Sequence, residues 1–137
     1  MEIQIRDDFD PDKIARSGQC FRWRKTGENG WRIVHGKQCL TILGLGEGRF
    51  RLSCPEEEYH ARWRSYFDLD EDYREIRARI TAADDPFLHD ACTYGKGIRI
   101  LRQDPWETLV SFIISQNKNI PAIKTASSCC VPPRGNL

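Results

Sequence analysis

The chain has 137 residues, 39% of them hydrophobic and 30% charged, with 21 Lys and Arg against 20 Asp and Glu for a formal net charge of +1. That length suffices for one ordinary domain, or for a small domain plus part of another, with a real core. The near-neutral balance excludes a global field for nucleic acid or an acidic substrate, so any DNA-binding face must come from local clustering.

The first half alternates in the manner of strands. Cys20–Arg24, Trp31–Val34, Leu40–Leu43 and Arg49–Leu52 are short β-rich runs, separated by glycine-containing turns at 27–30, 36 and 44–48. Spacing this close allows only hairpins, which predicts an antiparallel meander with aromatic and aliphatic residues on one face and Arg, Lys and Thr on the other. The glycines of Gly44-Leu45-Gly46-Glu47-Gly48 precede neither a helix start nor a P-loop lysine, so they read as a strand turn.

After Pro55 the period changes. Tyr59, Trp63, Tyr66 and Phe67 recur at three and four residues behind Glu56-Glu57-Glu58, which predicts an amphipathic helix with acid at its positive end. A second helix is expected from Asp68 or Asp70, with Tyr73, Ile76 and Ile80 on one face, and a third is opened by Asp84-Asp85-Pro86. The clearest start is Asp104-Pro105-Trp106-Glu107, where Asp104 caps, Pro105 fills the first turn and Glu107 completes a reciprocal cap. That helix should turn Leu109, Phe112 and Ile113 inward and end near Asn117, with Asn119 capping the next at Ile120-Pro121. A domain boundary is drawn near Ala83–Asp85.

Catalytic constellations are scarce. His35, His60 and His89 sit in three different elements without metal-ligand spacing. The six cysteines (Cys20, Cys39, Cys54, Cys92, Cys129, Cys130) form no CxxC pair, so no metal is expected and the first four read as buried small hydrophobes in a reduced compartment. No apolar run approaches a bilayer span and Met1–Asp10 has no signal core, so the chain reads as soluble and intracellular, without a membrane partner.

Two stretches stand out. In Ser17-Gly18-Gln19-Cys20-Phe21-Arg22-Trp23 a glycine precedes a strand, with Arg22, Arg24 and Lys25 close behind. An ordinary turn is the simpler reading from spacing, but Gly18 also lets a backbone carbonyl come close to a ligand. In Ser111–Asn119 an apolar helix runs into Gln116, Asn117, Lys118 and Asn119, and capping accounts for only part of that cluster of polar residues.

Together with Tyr66-Phe67-Asp68-Leu69-Asp70, Gly97–Glu107 and Ser115–Pro121, these stretches resemble the 8-oxoguanine DNA glycosylase/lyase family over about residues 3 to 124. The resemblance implies an α+β fold: a TATA-binding-protein-like antiparallel sheet domain with covering helices at 1–84, then the first helices of an incomplete helix-hairpin-helix glycosylase domain at 85–124. It implies double-stranded DNA containing oxidised guanine as partner, a base flipped out of the duplex, no cofactor, and a monomer acting with the DNA, in the nucleus of a eukaryote. The substrate- and DNA-binding positions it carries over are Gly18, Gln19, Phe21, Arg22, Asn117, Lys118 and Asn119. Gly18 matches the glycine whose carbonyl accepts from N7 of the lesion, Asn117 the residue that fills the vacated gap, and Asn119 the one that orders the turn. Lys118 replaces the usual central asparagine and Ala122 an arginine that reads the orphaned cytosine. The family's lysine nucleophile and its aspartate find no match, so no catalytic residue is assigned. A non-catalytic damaged-DNA-binding module is the competing reading, and an α+β domain without a nucleic-acid role a third. Residues 125–137 abandon apolar periodicity, which is expected of a shifted, truncated or misassembled reading frame with an aberrant tail, the alternative being a genuine short form that ends in a disordered tail.

Overall fold

The computed structural model describes residues 1–81, 85–116, 121–123 and 125. The strands are β1 (Glu2–Gln4), β2 (Trp23–Lys25), β3 (Gly30–His35), β4 (Gln38–Gly46) and β5 (Arg49–Leu52). They form one five-stranded antiparallel sheet in the order β1-β5-β4-β3-β2. The predicted meander is therefore present, and β1 extends it by pairing Ile3 with Phe50 on the far edge. The first predicted run forms a strand only from Trp23, because residues 21 and 22 bend while Cys20 and Arg22 turn into the protein.

One face of the sheet is apolar. Ile33, Leu40, Ile42, Phe50 and Leu52 are buried, whereas Arg32, Thr41, Arg49 and Arg51 point outward, the alternation a half-covered antiparallel sheet requires. The cover is a continuous helical run made of α2 (Glu56–Glu58), a π-helical turn (Tyr59–Trp63) and α3 (Arg64–Tyr66). The wide turn in its middle brings Tyr59, Trp63, Tyr66 and Phe67 into the core. Phe67 sits edge-on to Phe9 at 5.2 Å and to Trp23 at 6.1 Å, geometries that add to simple burial.

Helix α1 (Pro11–Arg16) lies outside the elements that periodicity predicts, being only one and a half turns long. Its cap is well made: Asp10 accepts from the amides of Asp12 and Lys13, and Pro11 occupies the first turn. Helix α4 (Tyr73–Thr81) begins later than predicted. Asp68 adopts a left-handed conformation (φ 54°) and reverses the chain, and Asp72 rather than Asp68 accepts from the first amides, those of Arg74 and Glu75. Helix α5 (Pro86–Gly95) starts on Asp85, and helix α6 (Pro105–Ser115) starts on Asp104 as predicted.

Two expectations fail at α6. The Glu107 amide donates to Asp104 at 2.9 Å, but the Glu107 carboxylate turns away toward the sheet, so the reciprocal half of the cap is absent. Its apolar side is also uncovered: Leu109 is 48% exposed and Phe112 and Ile113 61% each. No described element packs over them, because α6 is held to the sheet from its first turn. The helix stops at Ser115, with Gln116 as its cap. Of the cysteines, Cys20 and Cys54 are buried as expected, whereas Cys39 is exposed beside Arg32 and Cys92 is half-buried on α5.

Candidate functional site

The turn between α1 and β2 is built by pinning its side chains and leaving one residue bare. Ser17 closes α1 by donating from its hydroxyl to the Ile14 carbonyl at 2.7 Å. Gly18 follows at φ +84°, a left-handed conformation that side-chain-bearing residues rarely adopt, and a β-carbon there would touch nothing within 4 Å. Gln19 then reaches across to residues 99–101 like a short strand partner: its side-chain amide donates to the Arg99 carbonyl at 2.8 Å and its side-chain oxygen accepts from the Leu101 amide at 2.8 Å. The Gln19 carbonyl accepts from the Gln103 side chain. Among the described residues, no donor reaches the carbonyl of exposed Gly18.

Arg22 is equally committed. Only 9% exposed, its guanidinium donates to Glu107 at 3.0 Å and to the Gly36 carbonyl at 3.4 Å, tying the sheet to the first turn of α6. Phe21 between them is half-buried. Of the seven positions carried over by resemblance, the structure thus gathers Gly18, Gln19, Phe21 and Arg22 in one turn, with Gln19 and Arg22 engaged inside the protein. Asn117, Lys118 and Asn119 lie outside the described residues.

The turn rests on contacts invisible to periodicity. Arg99, 1% exposed, donates to the carbonyls of Asp8 and Asp68 and to the Asp7 carboxylate at 2.6 Å, with its plane 4.4 Å over Tyr73. This locks residues 97–103 against the sheet half, so Leu101 joins the core and Arg99 presents its carbonyl to Gln19. Gly97 (φ +95°) makes the closest approach possible: its carbonyl accepts from the Asp10 amide at 2.8 Å, and a β-carbon on it would lie 2.7 Å from that of Asp10. The one hint in the sequence is the alternation in Gly97–Leu101, which does not say where Arg99 points.

His35, at the end of β3, packs at a tilt against Tyr66, ring centres 4.6 Å apart, and lies near Glu107. Burial lowers its pKa from the ordinary 6.5, outweighing the opposing pull of Glu107 and Asp104, while Arg22 and Arg62 add to the lowering. Its neutral form is therefore favoured by folding. The unfolded chain takes up the proton first, so this contribution is complete above pH 6.5 and is lost as the pH falls from there through the folded-state pKa. The urea midpoint is expected to drop between about pH 7.5 and 5.5, and His35→Gln should flatten that drop; an equally steep drop in the variant would assign it elsewhere. Burial likewise pushes the Tyr66 hydroxyl upward, although the Trp23 indole donates to it at 2.9 Å.

The sequence profile of the family described as "8-oxoguanine DNA glycosylase, N-terminal domain" matches residues 2–109. The chain belongs to this family. An N-glycosylase/DNA lyase of Saccharomyces cerevisiae is 39% identical, over 90% of this chain and 36% of its own length. The 8-oxoguanine glycosylase/lyase of Clostridium acetobutylicum is similar in structure: its apo form gives a TM-score of 0.81 at 37% identity, covering 90% of this chain and 42% of that one. The same bacterial enzyme in complex with double-stranded DNA, cytosine standing opposite 8-oxoguanine, gives 0.79 at 36% identity over 90% and 45%. The chain thus spans less than half the length of the glycosylase relatives it matches, and it corresponds to their N-terminal portion.

Proposed function

We propose that this chain is the N-terminal, base-holding part of a DNA glycosylase/lyase that acts on 8-oxoguanine in duplex DNA. The observation that carries the reading is the Gly18 carbonyl, presented by a turn whose neighbours are tied down and accepting from no described residue. Guanine has a bare lone pair at N7, which repels a carbonyl placed there; the oxidised base carries a hydrogen at N7 and donates to it. A preset carbonyl thus separates two bases that differ little in shape. The relatives' names and the bound duplex of the bacterial enzyme support that substrate.

In this reading residues 1–84 form the sheet unit, akin to the TATA-binding-protein arrangement, and residues 85–124 open a helix-hairpin-helix unit; residues 126–137 of the expected tail lie outside the described residues. Asn117 fills the gap left by the flipped base, Asn119 orders the turn, Lys118 stands between them where the family has an asparagine, and the protein works as a monomer on DNA inside the cell. The Schiff-base chemistry belongs to a lysine outside these residues. Among the described residues, no helix is long and apolar enough to cross a membrane.

The test is duplex binding by fluorescence anisotropy. The chain should prefer an 8-oxoguanine·cytosine duplex over its undamaged counterpart by roughly tenfold, the scale of one hydrogen bond made against one lone-pair repulsion. Gly18→Ala should erase the preference by moving the carbonyl out of its left-handed setting. Equal affinities in the unaltered chain would remove the reading. Borohydride trapping with the full open reading frame then separates a glycosylase/lyase from a non-catalytic binder.

A further inference from the structure

A second feature shares no residue with the Ser17–Trp23 turn. The loop after β1, helix α4 and the C-terminal end of α5 enclose an open cleft of about 510 Å³, lined by Arg6, Lys13, Arg74, Arg77 and Lys96 against Asp7, Asp8 and Asp10. Five cations face three carboxylates, a local surplus larger than the net charge of the whole chain.

The carboxylates are already engaged by internal donors. Asp7 accepts from Arg99 at 2.6 Å and from the Tyr73 amide at 2.7 Å, Asp8 is buried against Arg77, and Asp10 caps α1. Lys13 is likewise occupied, donating to the carbonyls of Tyr94 and Lys96 at 3.1 and 2.7 Å where α5 ends. Arg74 is 58% exposed, with Asp7 only at 3.7 Å and Asp72 at 3.3 Å. Arg6 and Lys96 stand exposed at the rim, and no described residue gives either side-chain cation a hydrogen bond or ion pair. Neither of these two charges is engaged by a described residue within the fold.

We propose that this cleft is a phosphate-binding site whose occupant is the backbone of a nucleic-acid strand. The charges of its lining suit an anion rather than an apolar ligand. Guanidinium forks at Arg6 and Arg74 match paired phosphate oxygens, and Lys96 adds a point charge. Because the cleft is open, a continuous strand can lie along it. The choice of a nucleic acid as the source of the phosphate rests on the duplex reading above; the phosphate site itself does not. The cleft is also the local clustering that a chain of net charge +1 needs in order to hold DNA.

The experiment is a salt titration of binding to undamaged and 8-oxoguanine duplexes, by the unaltered chain and by Arg6→Ala/Lys96→Ala. Both side chains are exposed, so the variant should melt with the parent. Its affinity for both duplexes should fall about tenfold at low salt, and the slope of log K against log salt should shrink by about 0.9 for each phosphate no longer neutralised. The ratio between duplexes should not move, whereas Gly18→Ala should change that ratio and leave the slope. Unchanged affinity and slope in the double variant overturn the DNA occupant. If the unaltered chain binds no duplex, the Gly18 reading fails first and pyrophosphate decides the site. Thermal stabilisation of the unaltered chain by pyrophosphate, absent in the double variant, supports a phosphate site filled by a small anion; no stabilisation overturns the site altogether.

Discussion

Arg99→Met is expected to lower the unfolding free energy by about 4 kcal/mol, because removing one partner of a buried ionic network leaves the others desolvated and unpaired. Arg99 is 1% exposed and saturates the carbonyls of Asp8, Asp68 and Glu71 together with the Asp7 carboxylate. Methionine restores much of the volume and none of the donors. The loss should spread: the chain at Asp68, held at φ 54°, and the 97–103 segment both lean on this guanidinium, so Gln19 loses its partners and the Gly18 turn loosens with it. Urea unfolding is the direct check. The midpoint should fall with an unchanged m-value, and a change below about 1 kcal/mol would show that water can replace these hydrogen bonds.

Glu107→Ala should cost about 2 kcal/mol, less than a fully buried pair because the Glu107 side chain keeps 19% exposure and some screening. Arg22, 9% exposed in the unaltered chain, would be left with the Gly36 carbonyl as its acceptor among the described residues. The damage is expected to be local. Amide exchange should rise through the first turns of α6 while β3 and β4 keep their protection, since the sheet core contains no α6 residue. A double variant, Arg22→Met/Glu107→Met, should recover much of the loss, giving a coupling energy of about 2 kcal/mol. Additive single losses would mean that the two side chains do not stabilise each other, and that α6 is docked by something else.

The difference between what is readable in the sequence and what is not follows the range of the interactions. Strand alternation at Arg49–Leu52, the spacing of Tyr59, Trp63, Tyr66 and Phe67, and the caps at Asp85 and Asp104 are encoded within a few residues of where they act, and the structure forms each of them. Strand β1 and helix α1 escape such a reading because three and six residues are too few to establish a period; pairing with β5 and capping by Asp10 create them. The meander, the α+β class and the family motifs around Gly18 belong to the readable part.

The chemistry around that glycine does not. Gln19 finds its partners 80 and 82 residues away, Arg22 finds Glu107 85 residues away, and Arg99 reaches back 92 residues to Asp7. A capping pattern alone sends the Glu107 carboxylate back to Asp104. In the folded chain a buried guanidinium across the sheet attracts it more strongly, because an ion pair sheltered from water outweighs a solvent-facing cap. Sequence by itself thus determined where the strands, the capped helices and the bare glycine would lie. Tertiary structure alone decided which polar side chains are committed to holding that glycine in place and which, like Arg6 and Lys96, are left facing solvent, since that depends on partners brought together only by folding.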